Sequence, residues 1–190
     1  PTAVELDAPS PRLLLRFEST ATGADRQASA AARFCIDAGL QVGRIDDALQ
    51  SAVWLERRAR IWGTNHASDD GHAVLRVAVL PTDVAAMLDV VTQRTRERSV
   101  EWRAAGHAVL GVFYVALDGP DEAQAAAITA IRQAVEPRRG SAVVLAAHPS
   151  VMRLVNPWGD PGSGFGLMRA LKARFDPHGT LNPGSGPGGL

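Results

Sequence analysis

The chain has 190 residues and 46% hydrophobic content, enough for one domain with a packed core but too little for separate cofactor and substrate domains. Its 20 basic and 20 acidic residues cancel, which argues against nucleic acid or another polyanion as partner. The single cysteine, Cys35, excludes an internal disulfide and a cysteine-based zinc cage, and no apolar run approaches the roughly 18 residues of a membrane span, so a cytoplasmic protein without direct membrane insertion is expected.

The opening PTAVELDAPSP lacks the basic-then-apolar order of a signal peptide and reads as a linker over residues 1–11. With no initial Met, the chain reads as a piece of a longer protein. LLLRFES, from Leu13 to Ser19, is a short apolar run and a candidate strand. A helix is expected from Ala24 to Ala38, with Ala28, Ala31, Ala32 and Cys35 on its buried face and Gly39 at its cap. On that face Cys35 is a small core residue and not a nucleophile.

A second helix is expected from Asp46 to Trp62, with Ala48, Ala52, Leu55, Ala59 and Trp62 on one stripe and the acidic pair Asp46 and Asp47 at its positive end. The loop GTNHASDDG follows. Its Asn65, His66, Asp69 and Asp70 are turn formers before they are metal ligands.

From residue 73 the rhythm is clear. AVLRVAVL (73–80) is a strand, and Pro81-Thr82-Asp83 opens a helix with Val84, Met87, Leu88 and Val91 inward. SVEWRAAG (99–106) and HAVLGVFYVAL (107–117) are strands, with Gly106 inviting the hairpin between them. An alanine-rich helix then buries Ile128, Ile131 and Val135, Pro137 stops it, and SAVVLAAH (141–148) is a last strand. Strand, helix, strand, strand, helix, strand is the pattern of a ferredoxin-like α+β sandwich: an antiparallel sheet with helices on one face, here extended by an N-terminal strand-helix unit and a C-terminal helix plus irregular tail. Fold alone assigns no chemistry.

Past His148 the sequence turns rich in Pro and Gly, and a final helix is expected from Phe165 to Phe175, with Leu167, Met168, Leu171 and Phe175 apolar. Pro177 ends it, and Asn182-Pro183-Gly184 closes a tail whose backbone donors have no evident partner in the strands and helices. LMRALKARFDPHGTLNPG (167–184) resembles the carboxyl-terminal signature of FAD-linked oxidases of the vanillyl-alcohol oxidase type. LLLRFEST, AVWLERR, LRVAVLPTD, RRGSAVVLAAHP and VNPWGDPG agree in order with that family's glycolate oxidase branch, in its smaller flavin subunits.

The resemblance implies a linker over 1–11, a substrate-side cap over 12–150, and a segment 151–190 that returns to an FAD-binding domain absent from the chain. The cofactor, FAD, would be held mainly by that domain, with Lys172, Asn182 and Gly184 on the cofactor side. The implied reaction oxidises a small 2-hydroxy acid such as glycolate, with a larger flavin subunit and an iron–sulfur subunit as further partners. By itself this chain is expected to be inactive and colourless. Many relatives carry a paired-histidine metal motif near Gly106. Only His107 stands here, so no metal is expected. Ser185 replaces the Arg that relatives often carry after Asn-Pro-Gly.

His107 and His148 are the candidate catalytic groups, since histidine titrates near neutrality. Arg58 with Trp54 is the candidate substrate contact, a guanidinium forking onto a carboxylate. His178 follows the signature to the expected interface. Two other readings remain open at this point: a stand-alone ferredoxin-like ligand-binding module, and a non-catalytic assembly subunit of an oxidase complex.

Overall fold

The computed structural model describes residues 1–45, 47–63 and 71–190. Its centre is a six-stranded antiparallel sheet in the order β2-β1-β4-β5-β3-β6, formed by β1 (Ala3–Ala8), β2 (Arg12–Arg16), β3 (Ala73–Ala78), β4 (Glu101–His107), β5 (Val112–Asp118) and β6 (Ser141–Ala146). Strands β3 to β6, with α3 (Val84–Arg96) and α4 (Asp121–Val135), make the expected ferredoxin-like unit. Leu75 and Val77 of β3 with Phe113, Val115 and Leu117 of β5 point to the α3/α4 side, where they meet Met87, Val91, Ile128 and Ile131 in the main core. The alternation along each strand then leaves Val74, Ala105, Tyr114 and Ala116 for the opposite face, which α2 (Asp47–Trp62) covers through Ile61 and Trp62.

The N-terminal residues depart from the expected linker. Ala3–Ala8 form β1, which pairs with both β2 and β4. Its period of two hides the strand from a hydropathy reading, because Glu5 and Asp7 are carboxylates yet both are buried. The candidate strand 13–19 is Arg12–Arg16, its register fixed by β1.

Helix α1 (Ala21–Asp37) begins earlier than expected because Thr20 caps it, its Oγ1 accepting from the Gly23 amide at 3.2 Å. Gly39 ends it at φ 80°, as a C-terminal glycine should. The stripe of Ala28, Ala31, Ala32 and Cys35 is only half-buried, and α1 buries no residue, so Cys35 is not a core residue. In α2 the expected stripe is rotated. Ala48, Ala52 and Leu55 are exposed, and Val53, Trp54, Arg57 and Ile61 turn inward, because buried carboxylates on β1 draw the helix's arginines to the sheet. Asp46 and the turn residues Asn65, His66, Asp69 and Asp70 lie outside the described residues.

The β4–β5 turn also moves. Gly106 lies within β4 opposite Phe113, and the chain reverses over residues 108–111. A Cβ on Gly106 would stand 2.2 Å from the Val112 carbonyl oxygen and 2.5 Å from Phe113 Cα, so the residue serves close strand approach and not a turn. Gly111, at φ 65° and with Val79 O 2.0 Å from any added Cβ, is the turn glycine.

Beyond β6, Pro149 starts a short helix, α5 (Pro149–Leu154), in a segment expected to be irregular. Helix α6 (Phe165–Phe175) has the expected bounds. It buries no residue, and Leu167, Met168, Leu171 and Phe175 are all exposed.

Candidate functional site

A cleft of about 180 Å³ opens between α2 and the sheet face opposite α3 and α4. Its floor is Glu5 of β1, Ala105, Gly106 and His107 of β4, and Tyr114 of β5. Its wall is Trp54, Arg57, Arg58, Ile61 and Trp62 of α2. The sheet register explains why these groups converge: Glu5 lies opposite His107, Asp7 opposite Ala105, and Ala105 opposite Tyr114. Positions two apart on a strand share a face, and helix positions three or four apart share a stripe.

An ion network holds the wall to the floor. Arg57 donates through Nε to Asp7 at 2.6 Å and through Nη2 to Glu5 at 2.6 Å. Asp7, fully buried, also accepts from Arg12 Nε at 3.1 Å and Nη2 at 2.9 Å. Arg60 stands 4.0 Å from Asp7. The Arg57 guanidinium carbon lies 5.8 Å from the centre of the Trp54 ring, a cation–π contact. Below, the C-terminal end of α2 is secured by Arg103 Nε donating to Arg60 O at 3.0 Å and by His72 Nε2 at 3.1 Å from Ile61 O. The buried carboxylates are thus matched by guanidinium groups.

His107 completes the cleft. Its Nδ1 lies 2.6 Å from Glu5 Oε1, and half of its side chain is exposed. With Nδ1–H given to the carboxylate, a neutral ring keeps its lone pair on Nε2, which has no partner among the described residues. Arg58 is exposed at the rim and likewise without a partner among the described residues. The sequence-derived candidates His107, Arg58 and Trp54 therefore share one cleft. The residue that carries the ion pairs is Arg57, the neighbour of the one singled out, and Glu5, Trp62 and Tyr114 were not anticipated. The signal for Glu5 and Asp7 was their spacing of two beside arginines spaced by three.

His148 lies elsewhere, as the N-terminal cap residue of α5. Its Nδ1 is 2.5 Å from Ser150 Oγ, and the Ser150 hydroxyl donates to Asp121 Oδ2. The serine proton is committed to the carboxylate, so the set ties the starts of α4 and α5 together and is not an activated nucleophile.

Lys172, Asn182 and Gly184 belong to a C-terminal knob, apart from the cleft lining. Asp176 is its centre. Its carboxylate pairs with Lys172 at 2.6 Å and accepts from Thr180 N at 2.8 Å, Thr180 Oγ1 at 3.0 Å and Leu181 N at 3.0 Å, while Lys172 Nζ also donates to Leu181 O. The tail's amides thus find partners within the chain, contrary to expectation, because one side chain answers several donors. Asn182 at φ 46° and Gly184 at φ 74° take left-handed conformations that asparagine and glycine tolerate. Trp158 Nε1 donates to Ser185 O at 2.8 Å, tying the tail to the loop after α5. Asp176 and the Leu181 carbonyl take two of the three donors of the Lys172 ammonium.

The Lys172 contact, with the amides of Leu181 and Thr180, holds the Asp176 carboxyl far below the ordinary carboxylate range. A carboxyl depressed on folding stabilises the knob fully above the unfolded value of about 3.9 and loses that contribution only as acid reaches the lower folded value. Backbone amide shifts of Thr180 and Leu181 are therefore expected to stay native from neutrality to about pH 4 and to change only in stronger acid. Asp176→Ala should move both at neutral pH. Identical shifts in variant and parent would contradict this.

Residues 159–185 match a family model described as FAD linked oxidases, C-terminal domain. The match covers α6, the Asp176 turn and Asn182-Pro183-Gly184, and it supports a C-terminal domain of an FAD-linked oxidase. No curated protein matches the chain. Among the described residues no group of three or more His, Cys, Asp or Glu could hold a metal ion, and no helix is long and apolar enough to cross a membrane.

Proposed function

We propose that the chain is the substrate-side domain of a cytoplasmic FAD-dependent oxidoreductase acting on a small 2-hydroxy acid, of which glycolate is the simplest. The observation that carries the reading is the His107–Glu5 pair in a cleft rimmed by Arg58, which has no partner among the described residues. Arg58 binds the substrate carboxylate through its planar fork. His107 Nε2 takes the hydroxyl proton, and Glu5 holds the ring and stabilises the imidazolium that forms. FAD, when bound by a companion domain, supplies the acceptor for the hydride leaving C2. The exposed apolar face of α6, with Leu167, Leu171 and Phe175, is the surface offered to that domain. The same face favours a second reading, an assembly role beside a larger flavin subunit and an iron–sulfur subunit.

In the intact flavoprotein, His107→Gln is expected to slow flavin reduction by the 2-hydroxy acid by about 10²- to 10⁴-fold with little change in substrate affinity. Arg58→Met should instead act mainly on affinity. Rapid-mixing kinetics under anaerobic conditions separates the two. Reduction at the parental rate in the His107 variant would refute the assignment and leave the assembly reading.

A further inference from the structure

The cleft is lined in a way that a two-carbon acid does not require. Trp54 closes one side, and Trp62 and Tyr114 form a tilted pair with ring centres 5.8 Å apart. Ile61 and Ala105 add apolar surface beneath. At about 180 Å³ the space is smaller than sites for drug-sized molecules, yet larger than glycolate fills. Its charges are unequal in availability: Arg57 is taken up by Glu5 and Asp7, whereas Arg58 has no partner among the described residues. Arg76, opposite Tyr114 in the β3–β5 register, is a second exposed arginine on the same sheet face.

From this lining we infer that the cleft binds a monocarboxylate carrying an aromatic or branched apolar substituent, the carboxylate on Arg58 and the substituent among Trp54, Trp62 and Tyr114. The inference rests on the 2-hydroxy acid reading and narrows it. Aromatic walls contribute by offset or edge contacts and by excluding water, and glycolate, with no substituent, gains neither. An uncharged analogue keeps the aromatic contact but leaves the guanidinium unpaired.

The test uses the 190-residue chain with three probes, mandelate, glycolate and benzyl alcohol, read by the indole N–H resonances of its four tryptophans. Mandelate is expected to shift Trp54 and Trp62 and to leave Trp158 unmoved. It should bind at least about tenfold more tightly than glycolate, and more tightly than benzyl alcohol. Arg58→Met, at an exposed position, should weaken mandelate by about 10- to 100-fold, and Trp54→Leu should shrink its advantage over glycolate. Equal affinity for mandelate and glycolate, unchanged selectivity in Trp54→Leu, or no shift with any probe would overturn the inference. The redox reading fails separately. Mandelate binding here with no flavin reduction in the intact protein leaves the cleft and removes the oxidase, whereas reduction by glycolate without mandelate preference does the reverse.

Discussion

Replacing Arg57 by methionine is expected to lower the unfolding free energy by about 3–5 kcal/mol. The side chain is largely buried, and its loss takes a cation from two carboxylates that are more buried still. Among the described residues Asp7 keeps Arg12, with Arg60 at 4.0 Å, but Glu5 keeps His107 alone. An uncompensated buried charge costs far more than the intact pair contributes. Urea denaturation of parent and variant measures the difference. Adding Glu5→Gln to Arg57→Met should recover part of the loss, since the stranded charge goes with it. A loss below about 1 kcal/mol, the range of exposed pairs, would show that the network is solvated and that α2 is not held to the sheet by it.

The second large effect is expected at Arg132, which reaches from α4 past β6 into the loop after α5. It donates through Nε to Ala142 O at 2.7 Å, through Nη1 to Asn156 O at 2.5 Å and through Nη2 to Pro157 O at 2.6 Å. Burial draws its pKa below the usual arginine value, opposed by the nearby Glu136. The guanidinium is in effect the partner that this irregular, Pro-rich segment needs for its carbonyls. Arg132→Met should cost about 2–4 kcal/mol, from hydrogen bonds to a charged donor lost and carbonyls left unpaired. Lysine cannot reproduce the fork, so Arg132→Lys should restore less than half. The variant should also disturb Trp158 fluorescence, because the loop places the indole that holds Ser185. Thermal unfolding with tryptophan emission as readout checks both effects.

The parts of the fold legible in the sequence were those whose periodicity reports burial directly. The β3–α3–β4–β5–α4–β6 unit and the bounds of α6 follow from apolar spacing and from proline and glycine stops. The misses share one cause, polar residues doing structural work. β1 was hidden because its inward positions are Glu5 and Asp7, and α2 was rotated because its inward positions include Arg57. A hydropathy pattern assigns such residues to solvent, and only pairing across elements reverses that. Partners for the tail's amides are hidden for the same reason, since Asp176 answers donors four and five residues ahead. His107 was found as a residue type, but its partner Glu5 came from a strand read as linker. A glycine needed for close strand approach looks the same in sequence as one needed for positive φ, so Gly106 reads as a turn residue until the strand pairing is known.

In the proposed function the cleft of His107, Glu5 and Arg58 presents a 2-hydroxy acid to a flavin held by a companion domain. Anaerobic titration of the intact flavoprotein with a 2-hydroxy acid tests it most directly. The oxidised flavin absorbance is expected to be lost stoichiometrically, and His107→Gln to slow that loss strongly. An absorbance unchanged at saturating acid would contradict it.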